Sequence, residues 1–393
     1  LRRIANEALR EVYNPLPSAR LHGSLAVTAG LKVQSGGYTA SLAGEREAIQ
    51  TVVEFVDPTD YETARTRLVD ESRHKTSESL TFLLGRSSPD ADDKVAEVYR
   101  SQRIVELHRN EPDPEIKEYC ASQADVAARR LGELKTLLQR SLGQGSFVFR
   151  GETTAVESLA NGLLDAAKKH LATAAEQVFH RYAEAPERVD TAVAEKFLRT
   201  GAGNLKAVTS QLDPLSLVQV TGGNPTIRTD HRALVSIRDY VDYNGTVDGK
   251  RLLEHFGAAP FGWSQDTLRY LVAALLVAGD IKLKVSGREV TVAGQQAIDA
   301  LKTNNAFKPI GVALRQDRPS VEVLARAAER LTDLIGETVV PLEEDISKTA
   351  AKHLPRFQQE YAPLAEKLAA LDLPGGDRVR SLSKQIGDLL FTD

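Results

Sequence analysis

The fold is decided most clearly by residues 264–292, which read SQDTLRYLVAALLVAGDIKLKVSGREVTV. The first half begins with Ser264, a good helix cap, and is almost continuously apolar from Leu268 onward, so it predicts a helix over residues 264–278 that ends at Gly279. The second half alternates apolar and polar residues on both sides of Ser286-Gly287, which predicts a two-stranded hairpin. A helix followed at once by a hairpin is typical of the end of a winged helix-turn-helix unit.

The preceding residues complete this unit. Residues 230–243 predict a helix with Asp230 as its cap, and residues 248–256 predict a second helix. Thr246-Val247, between the two, predicts a very short strand. The order helix, short strand, helix, helix, hairpin is that of a winged helix-turn-helix, and Gly222-Gly223-Asn224-Pro225 predicts a linker in front of it.

The rest of the chain is predicted to be mainly α with small β elements. The β-rich run at residues 49–56 and the buried-strand pattern at 80–84 predict a small α+β unit at the start. Two amphipathic helices over residues 90–109, capped by Asp90, and 115–142 predict an antiparallel helical hairpin around the proline-rich joint 111–114. Further helices are predicted over residues 154–182, 192–198, 321–335, 342–354, 357–371 and 379–390.

These patterns predict four domains. They are a small α+β unit at 1–88, a helical domain with the antiparallel hairpin at 89–221, a winged-helix-like domain at 222–303 and a C-terminal helical bundle at 304–393.

Composition restricts the possible functions. Of the 393 residues, 42% are hydrophobic and 26% charged, which is ordinary for a globular protein. The net charge of −4 excludes a general basic surface for nucleic acid, so any DNA contact must be local. Cys120, the single cysteine, allows no internal disulfide or thiolate zinc cluster. The longest apolar run, residues 271–279, is too short to cross a membrane, and we expect a cytoplasmic protein without a secretory leader.

No pattern in the sequence predicts an active site. Residues 245–251 approach a phosphate-binding loop, but the segment is one residue short and Arg251 replaces the required Ser or Thr. The histidines lack metal-binding spacing, and Glu343-Glu344-Asp345 is better explained as an acidic helix start. We therefore expect no catalytic, cofactor-binding or metal-binding residue in this chain, and leave open whether a larger parent protein is an enzyme.

The winged unit offers one candidate site. In DNA-binding winged helices the third helix enters the major groove and the wing contacts phosphate. However, the third helix is apolar on more than one face, and residues 228–302 hold ten Lys/Arg against nine Asp/Glu. Since DNA affinity depends on positive charge, we favour protein docking, with DNA contact as the alternative. The candidate nucleic-acid-binding residues are Gln265 and Arg269 on the helix and Lys282, Lys284 and Arg288 on the wing.

Several segments resemble one known family, the large P-loop ATPase of BREX (bacteriophage exclusion) systems, BrxC/PglY. Residues 251–256, RLLEHF, and 260–271, PFGWSQDTLRYL, are similar to a signature near the end of that protein. Residues 13–30, YNPLPSARLHGSLAVTAG, and 103–110, RIVELHRN, resemble stretches further upstream. These motifs are structural and contain no catalytic residue.

The resemblance implies a multidomain, AAA-like protein that acts in phage defence and host DNA modification. Such a parent would bind ATP and magnesium and work with a methyltransferase and other BREX components. The present chain has no Walker A or Walker B motif, so no nucleotide-binding residue of the family can be assigned to it. We therefore expect it to be the C-terminal portion beyond the ATPase core.

Two roles follow from this resemblance and stay open at this point. The first is a non-catalytic protein-interaction module that couples the ATPase to other BREX components, or to further copies in a homo-oligomer. The alternative is a winged-helix module that presents duplex DNA to the ATPase or the methyltransferase. Neither role involves a membrane.

Overall fold

The computed structural model describes residues 1–201, 204–221, 224–316 and 319–391, and these are mainly α with small β elements, as predicted. The chain divides into two compact units. The first is Leu1–Ala183 with Ala259–Gly262, and the second is Glu184–Ala258 with Trp263–Asp393.

The first unit is built around a seven-stranded mixed sheet. Its elements are α1 (Arg2–Val12), β1 (Ser18–Leu21), β2 (Leu25–Ser35), β3 (Tyr38–Ala43), β4 (Ile49–Val56), α2 (Tyr61–Ser72), β5 (Leu80–Arg86), α3 (Pro89–His108), α4 (Pro114–Gly143), β6 (Ser146–Phe149), β7 (Glu152–Ala155), α5 (Val156–Leu159) and α6 (Leu163–Val178). The strand order is β1-β2-β4-β5-β6-β7, and β3 also pairs with β2. β2, β4 and β5 are parallel, and the other pairs are antiparallel.

Both faces of this sheet are covered by helices. Alternate residues of β5 point to opposite faces, because side chains alternate along a strand. Leu83 packs in a hydrophobic cluster with residues of α1, α3 and α4, whereas Phe82 and Leu84 pack with residues of α2. This two-sided burial explains why the apolar residues of β5 are consecutive and not confined to alternate positions.

The helical hairpin α3–α4 is inserted between two neighbouring strands of the sheet. β5 precedes it and β6 follows it, and these strands pair directly, with Leu83 opposite Phe147. Residues on both sides of the predicted boundary at 88 therefore belong to one sheet. Whether the four predicted domains fold separately remains a prediction.

Two predicted features of the first unit are wrong. Ser88, not Asp90, occupies the N-cap position of α3, and Asp90 lies in the first turn, where an acidic residue favours the helix dipole. The helix predicted over residues 154–182 is β7 followed by α5 and α6. The chain is extended at Ala160 and at Gly162, which interrupts the helical pattern.

The second unit contains the winged segment and the C-terminal helices. Its elements are α7 (Val193–Gly201), β8 (Val218–Thr221), β9 (Asn224–Ile227), α8 (Arg232–Asn244), β10 (Val247–Asp248), α9 (Gly249–Gly257), α10 (Gln265–Ala278), β11 (Ile281–Val285), β12 (Arg288–Val290), α11 (Gln295–Leu301), α12 (Asn304–Phe307), β13 (Gly311–Leu314), α13 (Val321–Ile335), α14 (Glu343–Ala370) and α15 (Gly376–Phe391). β8 and β9 form a separate antiparallel pair.

The predicted winged helix-turn-helix order is confirmed, with α8, β10, α9, α10 and the β11–β12 hairpin following one another. The sheet order is β10-β13-β11-β12, so β13 lies in its centre. The sequence did not predict β13, which is only four residues long and lies beyond the predicted domain end at 303. The N-cap of α8 is His231 instead of Asp230, since His231 Nδ1 accepts from the Ala233 amide. The predicted linker residues Gly222 and Gly223 lie outside the described residues.

The C-terminal region contains three long helices among its described residues. The prediction of two separate helices over residues 342–354 and 357–371 is wrong, because α14 is continuous and includes Pro355 and Pro363. Residues with high helix propensity surround both prolines, and each proline removes only one backbone donor. At the start of α14, Glu343 pairs with the buried Arg315, while the Glu344 side chain lies outside the described part of the structure.

His170 gives the first unit a pH-dependent stability. Its Nε2 lies 2.6 Å from Thr81 Oγ1, and its ring stacks on Phe147 with centroids 4.3 Å apart. Burial lowers the pKa of His170 to about 4 from the ordinary value of 6.5. The native state therefore resists protonation while the unfolded chain accepts a proton, so stability is full above pH 6.5 and falls as the pH drops toward 4.

We expect the free energy of unfolding of the wild-type chain to fall by about 2 kcal/mol more between pH 7 and pH 5 than that of His170→Gln. Urea unfolding followed by circular dichroism at each pH measures this difference. Above pH 7 the two curves should run parallel. Parallel curves below pH 6 as well would contradict the burial of a neutral imidazole.

Candidate functional site

Helix α10 lies in the core of the winged segment. Its residues are apolar on all sides, and a helix of that kind needs contacts around its full circumference. Every residue from 267 to 276 is buried. The two predicted caps are present: Ser264 Oγ accepts from the Thr267 amide at 3.1 Å, and Gly279 ends the helix in a left-handed conformation with φ of 76°. The helix that would read DNA in a winged-helix protein is therefore enclosed.

Arg269 is a fully buried charge with partners at each end of its guanidinium. Its side chain is 0% exposed and also forms an ion pair with Asp266. Nε donates to Asn304 Oδ1 at 2.7 Å, Nη1 to the Leu301 carbonyl at 2.5 Å, and Nη2 to the Thr191 carbonyl at 3.1 Å. These bonds join α10 to the segment before α7 and to the α11–α12 turn. The sequence analysis predicted that Arg269 contacts nucleic acid. The structure corrects this prediction: the guanidinium is buried and cannot reach a groove, so Arg269 has a structural role.

Tyr270 anchors α10 to another part of the unit. Its hydroxyl donates to Asp213 Oδ1, and the same carboxylate accepts from the amides of Leu217 at 2.7 Å and Val218 at 2.8 Å. Burial, together with the hydrogen bond to Asp213, raises the pKa of Tyr270 well above its ordinary value, so the phenol remains a donor. The sequence analysis missed Asp213. The only local signal was an Asp-Pro pair, which favours a turn.

The candidate wing cations are not equally available. Lys282 Nζ lies 2.8 Å from Glu289 Oε2, so this charge is neutralised within the hairpin. Lys284 and Arg288 are exposed. Lys284 is opposite Glu289 and Arg288 is opposite Val285, so the two cations leave opposite faces of the hairpin.

Gln265 is exposed at the first position of α10, whereas Arg269, one turn further along the same helix, is buried. The structure does not gather the five candidates on one surface, and nucleic-acid contact by Gln265, Lys282, Lys284 and Arg288 remains a prediction.

The segment that approaches a phosphate-binding loop forms a turn and the start of α9. The amides of Gly249 and Lys250 donate to the carbonyls of Ile310 at 2.8 Å and Lys308 at 2.9 Å. A Cβ at Gly249 would lie 2.1 Å from the Phe307 carbonyl oxygen, so only glycine fits this close approach. These two amides are engaged within the unit and do not face an open cradle.

Comparison with known proteins identifies this segment. Residues 212–316 match the family of the BREX ATP-binding protein BrxC winged helix-turn-helix domain. The match extends over residues 212–316, so it shows a winged helix-turn-helix segment of the BrxC type within the chain and supports a BrxC-family BREX protein. The resemblance predicted from residues 251–271 is thereby confirmed. No curated protein and no solved structure gave a significant match to the chain.

The matched BrxC segment coincides with the structural anchors described above. It begins one residue before Asp213, whose carboxylate receives Tyr270, and it ends two residues after β13. The matched segment thus includes the central strand β13, which the predicted boundary at 303 left out.

Neither a metal site nor a membrane-spanning helix is found among the described residues. No group of three or more His, Cys, Asp or Glu side chains is placed to hold a metal ion. Among the described helices, none combines the length and apolar character that crossing a membrane requires.

We expect Arg269→Lys to lower the free energy of unfolding of the winged domain by about 3 kcal/mol, because an ammonium cannot reach all four acceptors. The matched control Gln265→Ala, on the same helix but exposed, should change it by less than about 0.5 kcal/mol. Urea titration followed by the fluorescence of Trp263, the single tryptophan, reports on this domain. Equal stability of the two variants would contradict the role assigned to Arg269.

Proposed function

We propose that this chain is a non-catalytic interaction and assembly module of a BREX system, which couples the BrxC ATPase to other BREX components. The burial of α10 carries the proposal. A winged domain whose third helix is enclosed lacks the element with which such folds read the major groove. The near balance of charge over residues 228–302 also weakens the electrostatic attraction on which DNA binding depends.

The α3–α4 hairpin supplies the surface that we assign to docking. Its base is held in the core through Val95 and Leu134. Its outer half, which we call the hairpin tip, carries Tyr99, Leu107 and Tyr119 with exposures of 47%, 58% and 53%. Tyrosine side chains are enriched at protein interfaces, since one end is apolar and the other can form hydrogen bonds.

The two helices remain tied together beyond the base. Ser101 Oγ of α3 donates to Gln123 Oε1 of α4 at 2.9 Å, and Cys120 of α4 is buried. A tied helical pair can present apolar side chains in a fixed arrangement, which lowers the entropy cost of binding. This arrangement supports the hairpin tip as a preformed docking surface.

The proposal places ATP and magnesium elsewhere in a larger parent. In that reading the chain is the portion of BrxC beyond the ATPase core, and it works in the cytoplasm. The hairpin tip is also compatible with contacts between copies of the parent protein in a homo-oligomer.

A second candidate function rests on the exposure of Lys284 and Arg288. These two cations could contact phosphates of duplex DNA that is presented to the ATPase or the methyltransferase. Because they leave opposite faces of the hairpin, they would contact separate phosphates rather than form one basic patch.

We expect the triple variant Tyr99→Asp, Leu107→Asp, Tyr119→Asp to bind other BREX components at least tenfold more weakly than the wild type. Charged side chains at the hairpin tip would have to lose their bound water in an interface, which weakens binding. In the free chain they stay in contact with solvent and lower its stability little. Tyr243→Asp is the matched control, since Tyr243 is 91% exposed and lies on the winged domain. Co-expression of the tagged chain with the other components, followed by quantitative affinity measurement, makes the comparison. Equal binding by the triple variant and the control would overturn the role of the tip.

We expect duplex DNA to bind weakly, with little change between the wild type and Lys284→Gln, Arg288→Gln. Fluorescence anisotropy of a labelled duplex at several salt concentrations measures this. A log-linear salt dependence whose slope falls by about two in the double variant would instead support the DNA alternative, since each phosphate contact contributes about 0.9 to that slope.

A further inference from the structure

A cavity of about 310 Å³ opens at one edge of the first sheet. It lies where the parallel strands β2, β4 and β5 reach their carboxyl ends, at Val33–Ser35, Phe55 and Arg86–Ser88. In α/β sheets this is the edge at which ligands bind. The volume is at the lower end of the range for small-molecule sites, about 300–1,000 Å³. We call this space the strand-end cavity.

The wall of the strand-end cavity is mostly apolar. Leu9 of α1, Val95 of α3 and Leu134 of α4 are buried and line it, together with Val33 and Phe55 of the sheet. Three helices therefore meet the sheet edge here without filling the space between them. A concave, mostly apolar wall of this kind favours binding of apolar molecules.

Two alanines help to leave the space open. Ala5 of α1 and Ala91 of α3 both line the cavity, and each contributes only a methyl group. A larger side chain at either position would extend into the cavity. Substitution of either alanine by a larger residue would therefore fill the cavity, and the two substitutions would do so from different helices.

The charged residues of the wall do not favour an anion. Arg86 lies on the strand face that packs against α2; its guanidinium is 3.9 Å from the Tyr61 ring centroid and donates to the Gln144 carbonyl at 2.8 Å. Arg2 is exposed and lies over the Tyr38 ring at 5.5 Å. Asp92, in the first turn of α3, opposes negative charge at that helix start.

The uncharged polar residues of the wall indicate a hydrogen-bonding end. Asn6, Gln34, Ser87 and Ser88 line the cavity beside its apolar surface. Phe55 and Tyr38 add aromatic rings, which favour aromatic partners in edge or offset contact.

We propose that the strand-end cavity binds a small uncharged aromatic molecule that carries one hydrogen-bonding group. The apolar wall holds the ring, and the amide and hydroxyl side chains select the polar end. This site is distinct from the docking surface, which lies on the outer half of the α3–α4 hairpin.

Calorimetric titration of the full chain tests this with indole, which is neutral, and indole-3-carboxylate, its anionic counterpart. We expect indole to bind at least tenfold more tightly than the carboxylate. Ala5→Leu and Ala91→Leu should each weaken indole binding at least tenfold by filling the space. Ala121→Leu, exposed on α4 and outside the cavity wall, should leave the affinity within twofold.

Three results would overturn the proposal. They are the absence of indole binding, equal or tighter binding of the carboxylate, and unchanged indole affinity in the filled variants. Circular dichroism confirms folding of each variant, and a misfolded variant on one helix leaves the other for the comparison. The preference between indole and its carboxylate is measured on the wild type and needs no variant.

Discussion

The winged domain depends on the two neighbouring anchors of α10, Arg269 and Tyr270. The guanidinium binds acceptors at Thr191, Leu301 and Asn304, and the phenol donates to Asp213. Successive residues on a helix point about 100° apart, so these bonds tie α10 to different segments around it. A buried charge is costly unless it is fully paired, and a misplaced segment would leave Arg269 without acceptors. The anchors therefore fix the arrangement of the surrounding segments as well as adding stability.

This closure changes what the winged fold can do. A fold that often reads DNA does not by itself imply DNA binding, because function lies in the residues that the fold exposes. In this chain the third helix is part of the core. On the wing, Lys282 is paired with Glu289, and Lys284 and Arg288 point away from opposite faces of the hairpin. What the motif exposes is therefore a hairpin with two separated cations, and not a helix that presents side chains to bases.

Local patterns predicted several elements whose causes are local, although the caps predicted at Asp90 and Asp230 lie at Ser88 and His231. The caps Ser264 and Gly279 and the Ser286-Gly287 turn were all found where the sequence placed them. The role of Arg269 could not be predicted in this way, because its acceptors at Leu301 and Thr191 lie 32 and 78 residues away along the chain. The short strand β13 likewise exists because β10 and β11 flank it, and nothing in its four residues requires a strand. The cavity was missed for the same reason, since its wall comes from strands and helices far apart in sequence.

The hairpin shows why an apolar stripe alone cannot separate core from interface. Val95 and Tyr99 both belong to the apolar pattern of α3, yet Val95 is buried in the sheet cluster and Tyr99 is half exposed. The difference comes from where the hairpin is inserted, between β5 and β6, which brings only its base against the sheet. Continuing the same pattern past the base leaves apolar side chains exposed to solvent. The position of the insertion in the sheet thus decides which part of one continuous stripe is buried in the core and which part stays exposed.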